Sequence, residues 1–172
     1  MTYSNAHIHR QAARLLASAG VVREPVDLRH VVSALNLELV AHADMPFSCE
    51  AALEPRGDGH AIVLDGGISG SGERRRRFTI AHEIGHFVLH PELAHPEPAR
   101  PERSDQVTEA GRVEDREADA FAAELLMPEH LVRQAAREHG ADVDRLADRF
   151  DVSRSAIRSQ LQRLDILERH GS

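Results

Sequence analysis

The chain has 172 residues, a hydrophobic fraction of 41% and a formal net charge of -7 at pH 7, enough for one compact domain or a small catalytic domain with a helical appendage. That charge excludes a protein whose whole surface coats nucleic acid. A single cysteine, Cys49, excludes an intramolecular disulfide framework. All 21 basic residues are arginines, and aromatics make up only 3%, so the core must rest on Leu, Val, Ile and Ala. The start of the chain lacks the apolar centre of a signal peptide, and no stretch approaches membrane-spanning length. The expected location is cytoplasmic, with no membrane partner.

In chain order, Ile8, Ala12, Leu15 and Leu16 fall at helical spacing over residues 5–19, and Gly20 closes that helix. Pro25 is expected to open a second helix with Leu28, Val31, Val32 and Leu35 on one face. After Asn36 come three short extended runs, Leu37–Val40, Cys49–Leu53 and Ala61–Leu64. The turn Arg56-Gly57-Asp58-Gly59 suits a hairpin between the last two. Its Arg-Gly-Asp tripeptide is explained by that turn rather than by adhesion. The glycine-rich stretch from Gly66 to Gly72 is not a phosphate-binding loop, because no Gly-Lys-Ser/Thr ends it. A helix is expected from Arg77 to His90, stopped by Pro91, followed by a long loop over 91–112. Helix resumes near Val113, runs to Pro128, and continues over 129–170 with a break at Gly140.

The segment His82-Glu83-Ile84-Gly85-His86 carries the chemistry. Residues four apart share a helix face, so His82 and His86 aim two imidazoles at one point. Glu83 comes within reach of a water at that point, the arrangement of a general base in metal-assisted hydrolysis. Two buried histidines without a partner would be costly, which favours a metal. His90 sits about 12 Å along the axis from His82, too far for a straight helix to join the two, and His95 would require the proline-rich loop to fold back. A better source of a third ligand is the acidic stretch from Glu114 to Asp119, with four carboxylates in six residues. Asp115 and Asp119 are four apart, so one can bind metal while the other orients a histidine. Zinc is the default for two imidazoles and a carboxylate, with manganese or iron the less favoured alternatives. A latency switch at Cys49 is disfavoured against an ordinary buried thiol.

The run Arg77-Phe78-Thr79-Ile80-Ala81-His82-Glu83-Ile84-Gly85-His86 resembles the catalytic helix of the ImmA/IrrE family of bacterial metallo-endopeptidases. The run from Ala118 to Pro128, Ala-Asp-Ala-Phe-Ala-Ala-Glu-Leu-Leu-Met-Pro, resembles that family's second signature. The resemblance extends from about residue 25 to residue 165. It implies that His82 and His86 are metal ligands and that Glu83 is the general base. The family's third ligand is usually a Glu three residues before the Ala of the second signature. Here that position is Asp115, one methylene shorter, so the two helices must approach more closely. Asp119 falls at the position of the expected second partner to a histidine, and Glu114, then Glu117, are the fallback ligands. The resemblance also implies a substrate: a helix-turn-helix repressor whose cleavage releases mobile-element or stress-response genes.

The expected fold is α+β, a mainly helical zincin-like core with a small three-stranded sheet over residues 1–128, followed by helix-turn-helix-like helices over 129–172. In the latter, Leu146, Ala147 and Phe150 form an apolar face. Val152 plugs the turn, and Ser153 caps a helix bearing Arg154 and Arg158. Residues 129–172 hold eight Arg against eight Asp plus Glu. A neutral segment is poorly suited to direct DNA binding, which depends on phosphate neutralisation. Two rival readings are a DNA-binding regulator with a structural metal and a non-catalytic antirepressor that only sequesters its partner. The run Arg74–Arg76 is expected to be a solvated helix entrance, with Arg77 tied to carboxylates of the neighbouring helix. Ala61–Leu64 is a candidate edge for an extended substrate. The oxyanion stabiliser is not legible, since the sole tyrosine, Tyr3, lies far away in sequence.

Overall fold

The computed structural model describes residues 2–42, 51–65, 72–94 and 109–168. Ser4 caps the first helix, α1 (Asn5–Ser18), by accepting the amide of His7, and Ile8, Ala12, Leu15 and Leu16 are buried at the expected spacing. The second helix, α2 (Leu28–Ala34), begins later than expected at Pro25. Asp27 supplies the cap, accepting the Arg29 amide at 3.0 Å. Asn36 then turns the chain in the left-handed region, φ +55°, a conformation asparagine tolerates better than most residues.

The strands are β1 (Leu37–His42), β2 (Ala51–Arg56) and β3 (Gly59–Asp65). Arg56 pairs with Gly59 across the hairpin, and Gly57 takes a positive φ of +57° at the first turn position. The order is β1-β3-β2, with β1 parallel and β2 antiparallel to β3. This corrects the expectation that Ala61–Leu64 offers a sheet edge. Both flanks of β3 are already hydrogen-bonded, and Ala61, Ile62, Val63 and Leu64 are all buried. An unbroken apolar run is the mark of a strand covered on both faces; an edge strand would alternate.

The helix α3 (Glu73–Leu89) starts four residues ahead of the expected Arg77, because the arginine run is itself good helix former and Glu73 sits favourably in the first turn. A short α4 (Pro91–Ala94) follows, and α5 (Glu109–Leu126) begins before Val113. Both ends of the expected 91–112 loop are therefore helical. Its residues 95–108 lie outside the described residues, as do Cys49 and residues 66–71. The chain closes with α6 (Glu129–His139), α7 (Val143–Phe150) and α8 (Arg154–Arg163), broken at Gly140 where φ is +73°. The fold is α+β, mainly helical with one small mixed sheet. Among the described residues no helix is long and apolar enough to cross a membrane.

The helix α3 packs chiefly on α5. Ile80, Ala81 and Ile84 meet a floor that includes Phe121, Ala122 and Leu125, all fully or nearly fully buried. Truncating a side chain such as Phe121 costs about 3–5 kcal/mol. The same apolar cluster continues through Leu131, Leu146, Phe150, Ile157 and Leu161, so the last helices share the core of α3 and α5. Two buried polar groups pin this union. Gln160 donates to the Met127 carbonyl at 2.9 Å. Glu124, only 6% exposed, accepts from Arg163 of α8 and pairs with His9 of α1 at 2.8 Å.

Candidate metal centre

Gly85 sets the spacing of α3 against α5. A Cβ built there would lie 3.0 Å from both the Cα and the carbonyl oxygen of Ala118. No rotamer change relieves a clash with backbone, so only glycine permits this approach. Gly85 stands between His82 and His86, and Ala118 between Asp115 and Asp119, so the contact fixes the site as well as the core.

Across that contact the candidate ligands converge. The Nε2 atoms of His82 and His86 lie 3.0 Å apart, and Nε2 of His86 lies 3.4 Å from Oδ1 of Asp115. One donor atom from each of the three falls within 4.8 Å of the others. Nitrogen and oxygen ligands about 2.0–2.1 Å from a tetrahedral ion stand roughly 3.3 Å from one another, close to the His82–His86 and His86–Asp115 separations, so the donor set suits one small tetrahedral ion. Asp115 reaches despite its short arm because Gly85 lets the helices close.

Asp119 lies on the outer side of His82, with Oδ1 2.8 Å from Nδ1. With Nδ1–H donated to the carboxylate, the Nε2 lone pair is turned toward Asp115 and His86. Burial acts to lower the His82 pKa. The hydrogen bond and charge of Asp119, with the charges of Glu83 and Asp115, outweigh it and hold the imidazole above its ordinary range. Glu83 is half-buried, and its carboxylate is close enough to act on that titration.

The structure separates the fallback ligands from the site. Glu117 is not available as a ligand to this group. It is two residues from Asp115, some 200° around the helix, and lies on the opposite face, 5% exposed. There it accepts the Tyr3 amide and stands 3.5 Å from Nε2 of His90. Helical periodicity alone identifies that mismatch. Glu114 is not part of the three-ligand group among the described residues. Tyr3, remote in sequence, is brought beside α3, stacking on His7 at 4.7 Å with its ring 5.8 Å from His90. No local signal predicts this, because it depends on how α1 docks.

The basic run departs from expectation at Arg74 and Arg77, while Arg75 and Arg76 are exposed as expected. Arg74 bonds Asp148 at 2.7 Å and Asp151 at 3.3 Å, so it is a tether to the last helices and not a solvated entrance. Arg77 turns away from α5. It donates to the Val26 carbonyl at 2.9 Å, and its Nε lies 3.2 Å from Asp151 without hydrogen-bond alignment. The turn Asp151–Ser153 otherwise follows the sequence. Asp151 is left-handed, φ +52°, Val152 is buried, and the Ser153 side chain accepts the Ala156 amide at 3.1 Å.

A three-stranded sheet, two closely packed helices and a His-His-Asp cluster following the His-Glu-x-x-His spacing are the frame of a metallopeptidase. The family model Peptidase_M78, described as the IrrE N-terminal-like domain, matches residues 69–162; the chain belongs to this family. Among solved structures, the fold is similar to a Mycobacterium tuberculosis transcriptional regulator, with a TM-score of 0.65 at 18% identity. The similarity covers 91% of this chain but only 46% of that one, so the chain spans less than half of that protein. No curated protein sequence matches the chain.

Proposed function

We propose that the protein is a zinc-dependent endopeptidase whose substrate is a helix-turn-helix repressor, with His82, His86 and Asp115 as metal ligands. The observation that carries this reading is the His82–His86–Asp115 cluster, spaced for one small ion, beside a carboxylate at position 83. Family membership supports it independently. A metal held there supplies Lewis-acid chemistry, acidifying a water and polarising the scissile carbonyl. Glu83 takes the proton from the attacking water and passes it to the leaving amine. Asp119 holds the His82 ring and its tautomer. An extended substrate is best accommodated along β2, the outer strand nearest α3.

Zinc-loaded wild type and Glu83→Gln, each mixed with a repressor encoded beside this gene, test the proposal. Wild type should cut the repressor at a defined bond. Glu83→Gln should keep its zinc and lose cleavage by about 100-fold or more, the scale of a lost general base. A variant as active as wild type refutes the role of Glu83, and a wild type that leaves every such repressor intact refutes the substrate.

The name of the Mycobacterium tuberculosis relative favours a second reading, a regulator that acts without proteolysis. The neutral charge of residues 129–172 weighs against direct DNA contact. Sequestration or DNA binding would survive Glu83→Gln, whereas proteolysis would not.

A further inference from the structure

A groove of about 620 Å³ opens between α3, α5 and α8, one helical turn along α3 and α5 from the candidate metal centre. Its apolar lining is Phe78 of α3, Ala120, Ala123 and Met127 of α5, and Val152 and Ala156 from the end of the chain, with Ile8 of α1 completing it. Its placement follows from helical spacing. Phe78 is one turn before His82 on the same face of α3, and Ala123 is one turn after Asp119 on the same face of α5. The groove therefore continues the two helix faces that carry the candidate ligands, and α8 stands as its far wall. Small side chains at 120, 123 and 156, with Ser155 and Ser159, leave the space open.

The charged rim does not make this an anion site. Arg74 is engaged by Asp148 and Asp151, and Arg163 by Glu124 and Gln160. Those pairs hold the turn before α8 and the end of α8 in place; Arg75 stands exposed at the rim, and the groove's surface is mainly apolar. The volume lies within the range of about 300–1,000 Å³ in which proteins bury compact ligands.

We infer that this groove receives apolar side chains of the protein substrate next to the scissile bond, and that α8 is thereby a specificity element of the peptidase. The inference rests on the peptidase reading above and adds the side-chain preference and the helix that sets it. An α8 that walls the groove presents Ala156, Ser159 and Gln160 to it, so its role is to read a polypeptide.

A proteome-derived peptide library, digested by the zinc-loaded protein and mapped by mass spectrometry, is the test. Wild type should cut beside Leu, Met and Phe. Ala156→Trp fills the groove from α8. It should reduce those cuts by about 10-fold or more, the scale of apolar-pocket discrimination, while cuts beside Ala, Gly and Ser persist and zinc content is unchanged. If Ala156→Trp does not fold, Ala123→Leu fills the same space from α5 and should narrow the preference in the same way. Arg137→Trp, on the exposed face of α6, should leave it as in wild type. An unchanged preference in a folded, zinc-loaded groove variant overturns the inference and leaves the peptidase standing, as does a wild type that cuts without regard to side chain. A zinc-loaded wild type that cuts no peptide overturns the peptidase reading, and this inference with it.

Discussion

At the scale of single residues, the candidate centre was legible to the extent that it is local. His82 with His86, and Asp115 with Asp119, are i,i+4 pairs, and a helix puts each pair on one face whatever surrounds it. The demand that a short carboxylate imposes, a closer approach of the two helices, was also visible in the sequence. What meets that demand was not. Gly85 reads as one ordinary position within a motif until Ala118 is found 3.0 Å from where its Cβ would be. Gly85→Ala should therefore act twice. Overpacking against backbone should destabilise the fold by about 1–3 kcal/mol, and the widened gap should draw Asp115 away from the histidines. Denaturant unfolding measures the first and competition with a chromophoric zinc chelator the second. Wild-type affinity in the variant would show that helix spacing does not limit the site.

Among elements, the helices were more readable than the relations between them. Caps and apolar spacing announced α1, α7 and α8 within a few residues, whereas α3 and α5 each began about a turn before the apolar pattern that revealed them. The position of β3 at the centre of the sheet depends on pairings with strands before it, which no single run encodes. The continuous burial of Ala61–Leu64 was the available clue. Arg74 likewise read as surface charge, and Arg77 as a partner of the neighbouring helix, because Asp148 and Asp151 lie far along the chain. The two arginines should differ in weight. Arg74 is 38% exposed at its side chain and Arg77 only 17%, and exposed pairs contribute little through water. Arg77→Ala should thus lower the unfolding midpoint more than Arg74→Ala, and high salt should narrow the difference between wild type and Arg74→Ala first. Equal losses in thermal scans would argue that both arms act only as packing.

For the molecule as a whole, His82 links the site to stability. Its folded pKa lies above the ordinary value of about 6.5. In metal-free protein, the protonated ring in its ring of carboxylates adds stability that is full below that ordinary value. The contribution is lost as pH rises through the folded pKa. The difference in urea stability between metal-free wild type and His82→Gln should shrink from pH 5.5 to pH 8.5; a difference independent of pH refutes the coupling. Zinc bound as proposed should reverse the trend, because binding requires the neutral ring, and its stabilisation should grow over the same range. The shared core has a different consequence. Phe121, Leu125 and Met127 are covered together with Leu146, Phe150 and Leu161, and the Met127 carbonyl is satisfied by Gln160. A fragment ending at Pro128 would bare that surface to water and orphan that carbonyl. Residues 1–128 are therefore not expected to stand as a separate unit, and exchanging the C-terminal helices as an independent cassette would mean rebuilding the floor beneath the candidate site.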